Sequence, residues 1–303
     1  MARRFNRKPP TEAEREARRK ADRERLEQAA RTLLTSDGWQ RWIKVRATNG
    51  LSRYSVTNLC LISAACHARG ITPTYVAGFR AFLALNRCVR KGQPAIRILA
   101  PVTVKDRDEH GEETGDRRVF FRTVNVWDIS MTEPLPGRDP VPLTPPAEPI
   151  TGDSHHDLIA PLIAHAAELG YIVEIRDLPD EGPGGWCDPE RKLIVVSSGP
   201  ANSQVRTLTH ELAHAHGLGY AEIGRDRCEV LVDCVTYCVL GSVGLDVGGE
   251  SIPYVAGWGE EGELDAIRRY VATIDTIARR LEDALAPVSE PVADAIAAED
   301  WAA

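Results

Sequence analysis

Between Gly38 and Lys105 the chain has no Asp or Glu at all, while eleven Lys or Arg fall in the same span. No apolar run approaches the roughly 18 residues that a membrane helix needs, so no membrane is expected as a partner. The N-terminal stretch is densely charged and lacks the apolar core of a secretory signal, so none is expected. The seven Cys are odd in number and form no C-x-x-C pair, which argues against a disulfide framework. Reduced thiols in a cytoplasmic protein fit better.

What is present divides by sign. Residues 1–150 carry 27 Lys or Arg against 17 Asp or Glu, a balance of +10, and residues 151–303 carry 10 against 27, a balance of −17. Two halves of opposite charge suggest two tasks. The sign changes within "EPLPGRDPVPLTPPAEPITGD", residues 133–153, which holds seven Pro. Proline at that density continues neither a helix nor a central strand, so the stretch predicts a stiff extended linker at 134–152.

Before the linker, Thr11 and Glu14 form a capping box for a charged helix through about Leu34. "SVTNLCLISAACHARG" and "VAGFRAFLALN" have helical spacing. "PAIRILAPVTVK" and "RVFFRTVNVWDIS" alternate like strands around the charged loop "DRDEHGEETGD". After the linker come a helix ending at Gly170, strands in "YIVEIRDL" and "RKLIVVSS", and helices near Cys228–Val243 and Leu264–Leu285. The expected fold class is α+β in two domains, 35–133 and 153–286, with an N-terminal helix at 1–34 and a tail at 287–303.

The chemistry concentrates in "RTLTHELAHAHG", residues 206–217. Asn202 or Ser203 can cap this helix and Gly217 can end it. His210 and His214 stand one turn apart on one face, with Val205, Leu208, Leu212 and Ala215 on the other. Two such imidazoles suit Zn²⁺, and Glu211 is placed to reach water at the metal rather than the metal itself. A third protein ligand is needed. Tyr220 occupies the position where the metzincin pattern has its third His, so that class is not expected. "CEVLVDCVTYCVLGSVGL" must be buried, yet carries Glu229 and Asp233 one turn apart. Carboxylates in such a helix need a cation or hydrogen-bond partners, which makes Glu229 the first candidate and Asp233 an orienting group for an imidazole. Glu222 ranks second. His165 and His216 read as isolated polar residues, and Cys234 and Cys238 as small core residues.

These residues resemble the ImmA/IrrE-type, gluzincin-like zinc peptidases, and in particular the C-terminal domain of ArdC-like antirestriction proteins. "GGWCDPERKLIVVSSG", "TLTHELAHAHG", "CEVLVDCVTYCVLGSVGLD" and "PYVAGW" carry the likeness, in that order. Leu231–Val232 departs from it, since a Glu-Ala pair is usual there. The resemblance implies His210, His214 and Glu229 as ligands and Glu211 as the base, in a metalloendopeptidase. Tyr254 or Tyr220 would steady the oxyanion.

In the first half, Trp39, Trp42, Tyr54, Tyr75, Phe79 and Phe82 interleave with the cations of the acid-free span. Cations beside rings are the ingredients of single-strand binding, although such rings also build cores. "LSRYSVTNLCLI", "VAGFRAFLALNRCVRKGQPAIRILAPV" and "VNVWDISMTE" resemble the N-terminal single-stranded-DNA-binding domain of ArdC-like proteins, with Met131 and Trp127 departing from the usual Gln and Phe. The expected contacts are Arg53, Tyr54, Asn58, Arg80, Arg90 and Lys91. The resemblance implies a protein that protects incoming mobile DNA, with single-stranded DNA and a protein substrate or restriction enzyme as partners. Two rival readings stay open: a DNA-coating protein with a structural zinc, and a regulatory peptidase that cleaves a repressor or toxin.

Overall fold

The structure, a computed structural model, describes residues 12–48, 51–52, 54–107, 113–140, 148–149, 151–179, 182–246 and 264–286. Thr11 with its capping role, residues 141–147 and 150 of the Pro-rich stretch and the tail from residue 287 lie outside these residues.

Helix α1 (Glu12–Arg31) follows the charged N-terminal stretch and tightens into a 3-10 turn at Thr32–Leu34. Thr35 then caps α2 (Ser36–Ala47), its hydroxyl accepting from the Gly38 N–H at 3.1 Å. Only glycine fits at 38, since a Cβ there would lie 1.8 Å from the Thr32 carbonyl oxygen. The expected elements did not include α2. Its Trp39, Trp42, Ile43 and Arg46 are buried at helical spacing, so two of the rings read as base-stacking candidates are core residues.

Helix α3 (Val56–His67), capped by Ser55, is followed by β1 (Val76–Ala77), α4 (Phe79–Ala84) and β2 (Arg87–Val89). Strands β3 (Ile96–Arg107) and β4 (Glu113–Asp128) form the expected hairpin, and pairing continues into both ends of the charged loop. Its sheet has the order β1-β4-β3, and β2 pairs with β5 (Thr132–Pro134). The Pro-rich stretch ends in β6 (Glu148–Pro149).

In the second half, α5 (Ile159–Glu168) stops at Gly170, whose φ of +82° lets the chain reverse. Strands β7 (Ile172–Arg176), β8 (Gly185–Asp188) and β9 (Leu193–Ser197) form a sheet in the order β7-β9-β8, with β8 antiparallel at its edge. Helix α6 (Ala201–Ala215) carries the two motif imidazoles. It is not capped by Asn202 or Ser203. Its first N–H, on Ala201, donates instead to Asp153 Oδ1 at 2.6 Å. Asn202 is buried and accepts from the His155 N–H, tying down the segment that supplies the cap. Then come α7 (Tyr220–Ile223), α8 (Arg225–Ser242), β10 (Leu245–Asp246) and α9 (Leu264–Leu285). No helix among the described residues is long and apolar enough to cross a membrane.

The two halves pack directly on one another. Helix α2 of the first half packs on α8 of the second, and buried residues of both halves form one continuous cluster. Gly241 lies so close to α2 that a Cβ would sit 2.4 Å from the Ala47 carbonyl oxygen. β6, at the end of the Pro-rich stretch, pairs in parallel with β10. At the centre, Arg46 is 0% exposed. Its Nε donates to Asp275 Oδ1 at 2.7 Å, and its Nη1 and Nη2 donate to the two oxygens of Glu282 at 2.7 and 3.0 Å.

Arg46→Met removes the guanidinium from two buried carboxylates, of which Asp275 keeps Arg279, and should destabilise the full chain by about 3–5 kcal/mol in urea unfolding. Because the core is shared, the wild-type protein should unfold in one transition. Two resolved transitions, with Arg46→Met shifting only one, would mean that the halves are stable separately.

Candidate metal centre and nucleic-acid interface

Val205, Leu208 and Leu212 bury one side of α6 in the core, which leaves His210 and His214 facing α8. Leu231, Cys234 and Cys238 bury the opposing side of α8, so Glu229 and Asp233 are presented to the imidazoles. Glu229 Oε2 lies 3.4 Å from His210 Nε2 and 3.9 Å from His214 Nε2. The other ring nitrogens are anchored. His210 Nδ1 lies 3.3 Å from Asp233 Oδ1, and His214 Nδ1 lies 2.9 Å from the Leu218 carbonyl oxygen. A carbonyl only accepts, so His214 carries its proton on Nδ1 and turns the Nε2 lone pair toward Glu229; Asp233 imposes the same tautomer on His210.

One ligand atom from each of His210, His214 and Glu229 can be chosen so that all lie within 4.8 Å of one another, the one such group of three among the described residues. Two imidazole nitrogens and a carboxylate oxygen, with their outer hydrogen bonds already made, fit a divalent cation. Tyr220 donates its hydroxyl to Glu229 Oε1, a role in holding the carboxylate that the sequence did not suggest. Tyr254 and the Glu222 side chain lie outside the described residues.

Glu211 is 6% exposed, and burial with the nearby Glu229 charge pushes its carboxyl up to about 7, against the pull of His210 and a backbone contact from Cys187. Burial also holds His214 below the ordinary histidine range. In His210 burial acts the same way, but the Asp233 hydrogen bond and the surrounding carboxylates outweigh it and raise the pKa. The site opens into a cleft of about 630 Å³ bounded by edge strand β8, with Trp186, Arg206, Thr207, Tyr220 and Arg225 in its walls. Strand and helix approach closely: a Cβ on Gly185 would lie 2.6 Å from Thr207 Cγ2.

Two histidines read as isolated are in fact paired, with His165 Nε2 2.9 Å from His216 Nε2. They lie 51 positions apart, one on α5 and the other just past the end of α6, so no local spacing announces the pair.

Among the expected DNA contacts, Arg53 lies outside the described residues. Tyr54 is half-buried and donates to the Val76 carbonyl, a structural role. Asn58 is buried, and its amide both donates to the Leu99 carbonyl and accepts from the Leu99 N–H, so it ties α3 to β3 and is withdrawn as a contact. Arg80, Arg90 and Lys91 are exposed. Phe82 joins Trp39 and Trp42 in the core, whereas Phe79 stays 44% exposed against the edge of Trp127.

The sheet supplies what the interior rings do not. On the hairpin, Arg97 pairs with Asn125, Leu99 with Thr123 and Pro101 with Phe121, and directly paired residues share a face. The opposite face buries Ile96, Ile98, Val124 and Val126. The outer face therefore presents exposed Arg97, Asn125 and Phe121, the last 66% exposed.

Residues 24–127 match the family described as the N-terminal domain of anti-restriction factor ArdC. The whole fold is similar to two crystal structures of antirestriction ArdC protein from the R388 plasmid. The metal-free one has 18% identity and a TM-score of 0.51, over 86% of this chain and 96% of that one. The Mn(II)-bound one has 16% identity and a TM-score of 0.52, over 87% and 99%. The fold is ArdC-like. No curated protein sequence matches it.

If the three converging side chains hold the ion, the purified protein should carry one divalent metal per chain by elemental analysis. His210→Ala, His214→Ala and Glu229→Ala should each abolish it. Asp233→Asn should weaken metal affinity about 10- to 100-fold, the usual scale for removing a ligand's hydrogen-bond partner. Full metal content in Glu229→Ala would move the third ligand elsewhere.

Proposed function

We propose that this chain is a cytoplasmic antirestriction protein that binds single-stranded DNA with its basic half and carries a zinc metallopeptidase centre in its acidic half. The observation that carries the second part is the convergence of His210 Nε2, His214 Nε2 and Glu229 Oε2, with both Nδ1 atoms anchored. A nitrogen and carboxylate set of this kind suits zinc, and the Mn(II) in the R388 protein supports a divalent occupant. Such an ion supplies Lewis acidity, polarising a carbonyl oxygen and acidifying water.

The chain's own residues do the rest. Glu211 is not a ligand; its buried carboxyl, raised to about 7, takes a proton at a carboxylate oxygen and returns it to a leaving amine. Edge strand β8 borders the cleft and offers backbone groups to an extended peptide, which would align along it. Tyr220 keeps Glu229 in position, and since its one hydroxyl proton goes to Oε1, it would steady an oxyanion only by turning away from Glu229. An open cleft with Glu211 in its wall favours this reading over a purely structural zinc.

For DNA, the outer hairpin face with Phe121, Arg97 and Asn125 combines stacking surface, cation and amide, with Phe79 and Arg80 exposed on neighbouring α4. Arg90 and Lys91 add charge near β2. Unpaired bases expose faces for Phe121 to stack on, and paired bases do not.

Glu211→Gln should keep the metal and the fold while slowing peptide hydrolysis about 10²- to 10⁴-fold. A variant that stays active would remove Glu211 from the chemistry. The full-length protein should bind an oligothymidine strand more tightly than a duplex of equal length, with affinity falling steeply as salt rises. Phe121→Ala should weaken strand binding about 5- to 150-fold at fixed salt, as for the loss of one base stack. Preference for duplex in a fluorescence anisotropy titration would refute the single-strand reading.

A further inference from the structure

The outer face of the hairpin has an aromatic ring at each end and none between them. Phe121, 66% exposed, stands at one end. Residues two apart on a strand share a face, so Thr123, Asn125 and Trp127 follow Phe121 along the same side of β4. The alternate positions, Val124 and Val126, are buried on the other side. On β3 the outer face runs through Pro101, Leu99 and Arg97. Between Phe121 and Trp127, therefore, neither strand offers a stacking surface on that face.

At the far end α4 adds a second ring. β1 pairs with β4 through Ala77 and Trp127, and Phe79 follows two residues later at the start of α4. Phe79 stands edge-on to Trp127, with ring centroids 6.5 Å apart, and keeps 44% exposure. Phe82, three residues on, turns inward against Tyr75 instead. Trp127 is fixed by its Nε1, which donates to the Gln93 carbonyl oxygen at 3.2 Å. Arg80, next to Phe79, is exposed, and no Asp or Glu occurs from 76 to 105 or from 117 to 127. Six positions of about 3.4 Å each put Phe121 about 20 Å from Trp127. A stacked strand advances about 3.4 Å per nucleotide, so about seven nucleotides reach both ends, or about four at twice that spacing.

We infer that the basic half grips a single strand at two points, one base on Phe121 and another on Phe79 where it meets Trp127. The nucleotides between them cross a face without rings. The inference rests on the single-strand reading of this face. Every base has a face to stack, so the two platforms define their ligand by length rather than by sequence. A trimer reaches one platform, because two steps cover about 14 Å even at twice the stacked spacing. An octamer reaches both, and its second contact is then made within the complex, at a high effective concentration.

The test titrates the full-length protein at low salt with a fluorescein-labelled oligothymidine octamer, and with an unlabelled trimer in competition. Phe79→Ala and Phe121→Ala should each weaken octamer binding about 5- to 150-fold, as for the loss of one base stack. The trimer keeps the stronger platform in one of the two variants, so there it should bind within about twofold of the wild type. Phe79→Tyr, which retains a ring, should restore octamer binding. Unchanged octamer binding in Phe79→Ala overturns the inference, as does a loss that Phe79→Tyr leaves in place. So does trimer binding that falls as steeply as octamer binding in both Ala variants. Each of these results leaves the single-strand reading standing. A duplex octamer that binds more tightly than the single strand sinks that reading and the two-point grip with it.

Discussion

A guanidinium with no exposure to solvent must find its counter-charges inside the protein, and Arg46 finds them in Asp275 and Glu282 of α9. The ion group spans more than 220 positions of sequence, and everything between its members has to fold compatibly with it. Asp275 is shared further with Arg279, which also reaches the Tyr54 carbonyl of the first half. Burying a charge group is costly unless the geometry is complete, and a partly formed group is worse than an apolar contact. The group therefore acts less as a source of stability than as a condition on register. Helices α2 and α9 can meet in only one way, and α8 is packed against both.

That arrangement connects the core to the candidate metal centre through one element. Helix α8 buries Cys234, Val235 and Cys238 among the residues shared by the halves and turns Glu229 and Asp233 toward α6. Two periodicities on one helix thus serve two purposes. Gly241 sets the depth at which α8 rests on α2, because a larger residue would collide with the Ala47 carbonyl. A displacement of α8 along its axis would move Glu229 relative to His210 and His214, where separations of 3.4 and 3.9 Å leave little slack for a common ligand position. The basic half, by supplying α2, helps to hold the acidic half's site in shape.

How much of this could be read from residues alone depended on the range of the signal. His210, His214, Glu229 and Asp233 were legible because each helix displays its chemistry at a fixed interval against an apolar stripe. Helix α9 was legible for the same reason, with Ile267, Val271, Ile274, Ala278 and Leu281 recurring along one side. Helix α2 was missed because its buried stripe consists of Trp39, Trp42, Ile43 and Arg46. Tryptophan and arginine side by side look like a nucleic-acid surface until the arginine's partners are known, and those lie on α9. Asn58 misled similarly: only the fold shows that its amide is used up by the backbone of Leu99. Contacts at long sequence separation, such as His165 with His216 and Asp153 with the first turn of α6, leave no periodic trace.

The partition of charge survives this revision, but it means something different. Two opposite halves do not need to be separate bodies when the contact between them is largely apolar and its buried charges are matched. Lys and Arg concentrated in the first half leave its outer hairpin face free of competing acids: from 97 to 105 and from 117 to 127 there is none. The acids of the second half make it a poor surface for a polyanion. Screening by salt weakens that contrast over distances beyond about 8–10 Å.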